Sequence, residues 1–401
     1  MSTHNTAVAV IGGGVVGTAI AHTLAHRGVD VVLIEAESDL AFAASGTNSG
    51  VLHTGFDSTP GELETELILR SARLRPAVLS ALNVPVRHTG AVLIPHQDAD
   101  RHVIAALAAN AAQNGVEVAI RADDGALVVP GESITDPVAF TLALGRSAEA
   151  AGARILRGAR VTAIEPGADG LSATTQDGQT VNARVVVNAA GLYADDIARM
   201  LGDHSFEIYP RKGEFFVFAL PDGQKLEQII LPVPTKRTKG VLVFPTLDGH
   251  VVAGPTAHDQ ADKDDWSVRP EADREVLDKA VMQYPALAGL QPIAGYAGLR
   301  PAGRDANYVI APSTSESRLI NVAAIRSTGL SACLGIADYV ADLLPAQGID
   351  LGEPQHLAAA PAAAAPPDAA PWWQRTATKK FPHSCARTRG LSTNVRVIDG
   401  R

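Results

Sequence analysis

Cysteine is nearly absent from this chain: Cys333 and Cys385 are the two in 401 residues. A disulfide framework and a cysteine-ligated metal or iron–sulfur centre are therefore excluded for this chain alone. The histidines do not fill the gap, because His53, His88, His96, His102, His250 and His258 never combine with carboxylates at a recognised ligand spacing. No metal is expected, so a redox function would need an organic cofactor. Excess positive charge is missing too: the formal net charge is −9, which argues against a nucleic-acid partner. No uninterrupted apolar run reaches the roughly 18 residues of a membrane span. Residues 6–24 are small and apolar enough to imitate a secretory leader, yet no Lys or Arg precedes Arg27. The expectation is a mature cytoplasmic protein without a transmembrane segment, with peripheral contact at the inner face of a membrane left open.

What the chain does have, at its start, is the run Ala7-Val8-Ala9-Val10-Ile11-Gly12-Gly13-Gly14-Val15-Val16-Gly17. It reads as a β-branched strand entering a glycine turn and then a helix. Gly12 permits the tight turn, Gly14 lets backbone approach a pyrophosphate, and Gly17 allows close packing of helix on strand. Gly28 ends the helix, and Val31 to Ile34 forms a second strand that delivers Glu35, followed by Ala36, to a ribose hydroxyl. Strand, turn, helix, strand and acid in this order define a dinucleotide site. The turn cannot by itself separate FAD from NAD, but no second glycine fingerprint follows residue 35. One site implies one dinucleotide. The N-terminal position, the small-residue stretch 43–50 and the strand ending in Asn188-Ala189-Ala190-Gly191 favour a flavin held between two lobes.

A length of 401 residues predicts two or three lobes. Leucines at helical spacing from Leu63 predict a packing helix, residues 84–95 a strand pair around Gly90, and Arg101 to Asn114 a helix ended by Gly115. Thr135-Asp136-Pro137 supplies a cap and an N1 proline for a helix running to about Gly152. Strands then recur from Val161 to Asn188, and residues 206–260 alternate strongly enough to predict an antiparallel second lobe. A strand from Leu319 and a helix through Cys333 to Leu344 close the first lobe. The predicted division is 1–83, 146–205 and 296–345 for the FAD-binding lobe, and 84–145 and 206–295 for the substrate lobe. Residues 346–371 are an Ala/Pro-rich linker. Residues 372–401 are a tail with seven Lys/Arg against Asp399, expected to be disordered, with an anionic surface or partner met by Trp372 and Trp373 as the other reading. The expected fold is α/β: a Rossmann-like lobe with a parallel sheet, interleaved with a smaller antiparallel-sheet substrate lobe.

Several blocks resemble FAD-dependent oxidoreductases of the D-amino-acid-oxidase type, in the branch of flavin-dependent glycerol-3-phosphate and L-2-hydroxyglutarate dehydrogenases. They are Ser45 to Gly55, Asn188 to Asp195, Arg211-Lys212-Gly213-Glu214-Phe215-Phe216, Phe244-Pro245-Thr246 with Gly254-Pro255-Thr256-Ala257, Ala297-Gly298-Leu299-Arg300-Pro301, and Ile325-Arg326-Ser327-Thr328-Gly329-Leu330. The resemblance spans residues 6–344 and leaves out the tail. It implies FAD contacts from Gly12, Gly14, Val15, Val16, Gly17, Glu35 and Ala36, from Ser45, Gly46, Thr47, Asn48, Ser49 and Gly50, and from Val161 at the adenine. Ala190, Gly191, Arg300, Arg326, Ser327, Thr328, Gly329 and Leu330 complete the set. The turn before the last helix would cover the flavin pyrimidine, where its N–H groups stabilise negative charge on the reduced ring.

His53 and Arg300 are the candidate catalytic residues. A neutral histidine suits removal of an alcohol proton near pH 7, with flavin packing or covalent flavin attachment as its other readings. Arg300 can pair bidentately with a carboxylate or phosphate, with a structural ion pair as the alternative. Lys212, Arg211 and Thr256 are weaker candidates for an anion pocket. The function expected is oxidation of the CH–OH group of a small anionic substrate, glycerol 3-phosphate or a 2-hydroxy acid such as L-2-hydroxyglutarate, by hydride transfer to flavin N5. Electrons would leave to a quinone, a protein carrier or oxygen. Amine oxidation on the same fold, or a flavin-carrying subunit that needs an iron–sulfur partner, stays open.

Overall fold

The glycine turn sits where two apolar packing demands meet. A computed structural model describes residues 2–234, 240–354 and 370–374. Strand β1 (Thr3–Ile11) leads through the turn into helix α1 (Val15–Ala25) and returns in strand β2 (Val31–Ile34). Val8 and Val10 face one apolar cluster, Ala9 and Ile11 another, so β1 is buried on both faces. That explains why it reads as a continuous apolar run rather than an alternating one.

β1 pairs in parallel with β2 and with the strand Thr180–Asn188, and β2 pairs in parallel with Arg154–Leu156. The nine-residue strand Thr180–Asn188 serves two neighbours along one edge. Its first half pairs with Leu171–Thr175 and its last residues pair in parallel with Leu319–Ala323. The strands from Val161 to Asn188 thus return the chain to the first sheet. Helix Gly329–Leu343 packs against α1 and against helix Leu63–Ala81. With the turn that follows, it has the length and the mean hydropathy, 1.2, of a membrane span. Its apolarity is that of a core element, since Leu330, Leu334, Ile336 and Val340 are all buried, each contributing about 1.5–3 kcal/mol by removal from water.

The second lobe is built on a nine-stranded sheet in which Ile208–Phe218 pairs with Ala294–Gly303 over ten residues. The sequence predicts an antiparallel sheet, and most pairs are antiparallel. One is not: Ile229–Leu231 runs parallel to Ala91–Leu93. The two strands flanking Gly90 differ from expectation in a related way. Val86–His88 and Ala91–Leu93 both form, but they belong to different sheets. Gly90 has φ +61°, and the chain changes layers there rather than folding into a hairpin. Asp136 caps the helix Pro137–Ala150 through two backbone N–H groups, as its sequence predicts. Helix Asp98–Gln113 begins three residues earlier than expected, where Gln97 and Asp100 form a capping box.

Trp372 and Trp373 do not lead a free tail. Both are 3% exposed and complete the core of the second lobe, Trp372 edge-on to Tyr296 and Trp373 edge-on to His250, each at 5.5 Å between ring centroids. Two adjacent indoles carry more apolar area than a solvated tail would expose, which is why they find a core. Most of the expected linker and the basic residues from Arg375 onward lie outside the described residues.

Candidate active site

Two adjoining cavities lie between the lobes and share Ala44, Asn48, Arg326 and Ser327. The first is lined by Gly12, Gly14, Val15 and Val16 at the turn, by Glu35 and Ala36 after β2, by Val161, and by Gly329 and Leu330. Ser45, Ala190 and Gly191 also line it.

Backbone geometry accounts for the glycines. Gly12 has φ +111°, and a Cβ there would stand 2.4 Å from the Ala189 carbonyl oxygen. A Cβ on Gly17 would stand 1.9 Å from the Gly12 carbonyl oxygen, so Gly17 makes contact between helix and turn and does not line the cavity. The first N–H groups of α1 have no partner within the helix. Ser45 Oγ accepts from Val15 N at 2.8 Å. Glu35 accepts from the N–H groups of Gly13 and Glu37, while burial raises its carboxyl above the ordinary range. Asn188, fully buried, ties the turn after its strand by donating to the Ala194 and Asn321 oxygens.

Ala324 and Arg326 adopt φ +57° and +51°, an uncommon conformation for residues other than glycine. This bend brings the N-terminus of the Gly329–Leu343 helix to the junction of the two cavities. Glu64 holds it there, accepting from Thr328 Oγ1 at 2.8 Å and Arg326 Nη2 at 2.9 Å. Burial opposes ionisation of Glu64, but the hydrogen bonds from Asn307, Thr328 and Arg326 outweigh it and keep the carboxyl below its usual range.

A cradle of backbone N–H groups at one helix N-terminus, a second helix N-terminus in the same cavity and a largely apolar lining fit a dinucleotide carrying a flavin. Three of the expected contacts, Gly17, Gly46 and Gly50, line neither cavity. Gly50, φ +79°, turns against the Thr135 carbonyl oxygen. Thr47, Ser49, Thr328 and Arg300 line the second cavity rather than the first. Sequence reasoning missed Asp264 and Trp266, which reach the first cavity from a loop of the second lobe. That loop is fastened by Lys263 to Asp195 and Asp196, both at 2.8 Å, and by Asp264 to the Tyr193 hydroxyl at 2.6 Å.

The second cavity, about 390 Å³, is lined by both candidate catalytic residues, His53 and Arg300. His53 is on its wall, and its Nδ1 lies 2.9 Å from Glu132 Oε2. The other oxygen of Glu132 accepts from the backbone N–H and hydroxyl of Thr54. Because a carboxylate only accepts, this bond assigns the ring proton to Nδ1 and leaves Nε2 as the basic nitrogen. Glu132 is fully buried and was not foreseen. The one hint in the sequence is an acid set within a mainly apolar stretch, Val128-Val129-Pro130-Gly131-Glu132-Ser133-Ile134.

Arg300 and Arg211 stand directly opposite each other in adjoining strands and share one face of the sheet. Gly213 makes room for them: a Cβ there would meet Arg300 Nη2 at 2.1 Å. Arg211 is held bidentately by Asp259 at 2.6 and 3.0 Å. Arg300 donates to the Thr256 carbonyl at 2.9 Å and has no ion pair among the described residues. Burial, and then the nearby Arg211, push its guanidinium down to about 10, so it remains a cation at neutral pH.

Lys212 does not belong to this pocket. It is on the opposite face of the strand, 1% exposed, and its ammonium is 2.7 Å from Asp265. Alternation along a strand makes this unavoidable once Arg211 faces the cavity. Thr256 lines the cavity, but its hydroxyl is engaged by Glu214, donating to Oε2 at 2.8 Å and accepting from the backbone N–H at 2.9 Å. It contributes its carbonyl, through Arg300.

The fold and site together define a two-lobed oxidoreductase with a dinucleotide cofactor between the lobes. The chain belongs to the FAD dependent oxidoreductase family, whose description matches residues 7–343, and it is an FAD-dependent enzyme. It is 32% identical over 352 residues to a glycerol 3-phosphate dehydrogenase of Caloramator mitchellensis, covering 84% of this chain and 73% of that protein. It is 29% identical to an L-2-hydroxyglutarate dehydrogenase of Escherichia coli over 265 residues, 62% of this chain and 63% of the relative. Among solved structures, an L-alpha-glycerophosphate oxidase from Mycoplasma pneumoniae with FAD bound superposes with a TM-score of 0.81 at 25% identity, over 87% of this chain and 96% of that one.

Proposed function

We propose that the protein oxidises the secondary alcohol of a small anionic substrate, with glycerol 3-phosphate first and a 2-hydroxy acid second. The observation that carries this reading is the placement of Arg300, a cation without a carboxylate partner among the described residues, in the same small cavity as the His53–Glu132 pair. Such a guanidinium favours a phosphate or carboxylate. The names of the relatives support the same substrate class.

When bound, FAD supplies the hydride acceptor at N5. The protein's share is to bind, orient and move a proton. Arg300 binds the anionic end of the substrate, with Arg211 beside it adding positive potential. His53 Nε2 takes the hydroxyl proton, and Glu132 stabilises the imidazolium so formed and keeps the ring in place. The N-terminus of the Gly329–Leu343 helix stabilises negative charge at the cavity junction.

The test is anaerobic bleaching of the flavin by glycerol 3-phosphate, L-2-hydroxyglutarate, L-lactate, sarcosine and D-alanine. Bleaching by the hydroxy substrates alone supports the reading; bleaching by an amine alone rejects it. Reoxidation with oxygen, a quinone analogue and a dye then identifies the class of electron acceptor. Reduction without transfer to any of them points to a partner subunit carrying an iron–sulfur centre.

A further inference from the structure

Another buried cation lies against the His53 backbone. Arg75, on helix Leu63–Ala81, is 7% exposed. Its Nη2 donates to the His53 carbonyl oxygen at 2.7 Å. Its Nη1 is buried without a hydrogen-bond partner, and no carboxylate forms an ion pair with it among the described residues. The titratable groups that act on it are Glu132, whose charge favours the guanidinium, and Cys333, on the helix opposite. Burial pushes the Cys333 thiol up to about 12, so it is neutral at physiological pH. Glu132 in turn faces His53 and Thr54.

An incompletely bonded guanidinium in the interior is costly unless it offsets a buried anion. Glu132 is such an anion, fully buried and accepting on both oxygens. Arg75 therefore touches the pair once, through its hydrogen bond to the His53 backbone, and the charge of Glu132 favours its guanidinium.

We propose that Arg75 is a positioning residue for the alcohol oxidation: its hydrogen bond pins the His53 backbone, so that the ring keeps Nδ1 on Glu132 and presents Nε2 to the substrate. The inference rests on the reading of His53 as the base. A purely structural arginine would instead support folding and leave the proton transfer alone.

Rapid mixing of the FAD-loaded enzyme with glycerol 3-phosphate under anaerobic conditions separates these roles. Arg75→Met is expected to slow the limiting rate of flavin reduction at least ~10-fold, with the apparent Kd for glycerol 3-phosphate within about twofold and FAD content unchanged. Arg75→Lys, which retains a charged donor, is expected to recover most of the rate. Wild-type reduction by Arg75→Met overturns the proposal. Should Arg75→Met fail to retain FAD, Arg75→Lys decides: a near wild-type rate supports the proposal and a rate lowered tenfold overturns it. Glu132→Gln and His53→Asn guard the underlying reading. If they slow reduction and Arg75→Met does not, Arg75 alone is misassigned; if neither does, the His53 base falls and the Arg75 proposal falls with it.

Discussion

The two adjoining cavities are built from different material. The cofactor cavity gathers a glycine turn, two helix N-termini and the ends of parallel strands, with its first part contained in residues 11–37. The substrate cavity is made of side chains drawn from distant segments, including His53, Glu64, Arg211, Arg300 and Thr328. Several of those side chains are already committed to partners inside the protein, as Arg211 is to Asp259 and Arg326 to Glu64. The contrast teaches that affinity for the dinucleotide is a property of chain geometry. The proposed substrate class rests on Arg300, the cavity cation without a carboxylate partner among the described residues.

The largest effect is expected where geometry leaves no room. Gly12→Val places a branched side chain at φ +111° against the Ala189 carbonyl, costing roughly 3 kcal/mol or more in strain and overpacking. The purified variant should carry almost no flavin, measured as the ratio of absorbance near 450 nm to that at 280 nm. A flavin content near that of the parent would mean that the turn is not the cofactor's cradle. Next comes His53→Asn, expected to lower the rate of flavin reduction by about 10²–10⁴ while the absorbance ratio stays the same. Unchanged reduction would remove the base from the substrate cavity. Arg300→Ala should follow, raising KM for the anionic substrate roughly 10- to 100-fold through loss of a charged hydrogen-bonding partner. Loss of flavin with unaltered kinetics in the remaining holoenzyme would place Arg300 in the other cavity.

The same contrast explains what could be read from the chain. The turn at Gly12 to Gly17, the acid at Glu35 and the cap at Asp136 are local patterns, and the structure forms each where the spacing puts it. The interleaving of the lobes was legible as well, because alternating and continuous apolar runs mark half-buried and fully buried strands. Side-chain commitments were not. Nothing local to Lys212 says that Asp265 takes its charge, and nothing near Glu132 says that it faces a histidine 79 residues earlier. Trp372 and Trp373 were obscured by their neighbours: an Ala/Pro-rich stretch before them and basic residues after them suggest a tail, whereas the two indoles pack into the core.

Lys212→Met gives the smallest expected effect and the sharpest separation of the cavity's two basic neighbours. Lys212 and Arg211 are adjacent in sequence, and either could serve an anion on charge alone. The strand sends them to opposite faces, Arg211 to the cavity and Lys212 to Asp265. Methionine keeps most of the buried stem while removing the charge, and it leaves Asp265 with its bonds from the Ser267 hydroxyl and N–H. Replacing a paired buried charge by an apolar chain of similar volume is often near neutral for stability. The expectation is a KM for the anionic substrate within about twofold of the parent, in contrast to the large rise for Arg300→Ala. Its accompanying signature is faster loss of FAD on dilution, followed by flavin fluorescence, because Asp265 belongs to the loop that brings Trp266 to the cofactor cavity. A rise in KM comparable to that of Arg300→Ala would show that the ammonium reaches the substrate and that Asp265 is only its resting partner.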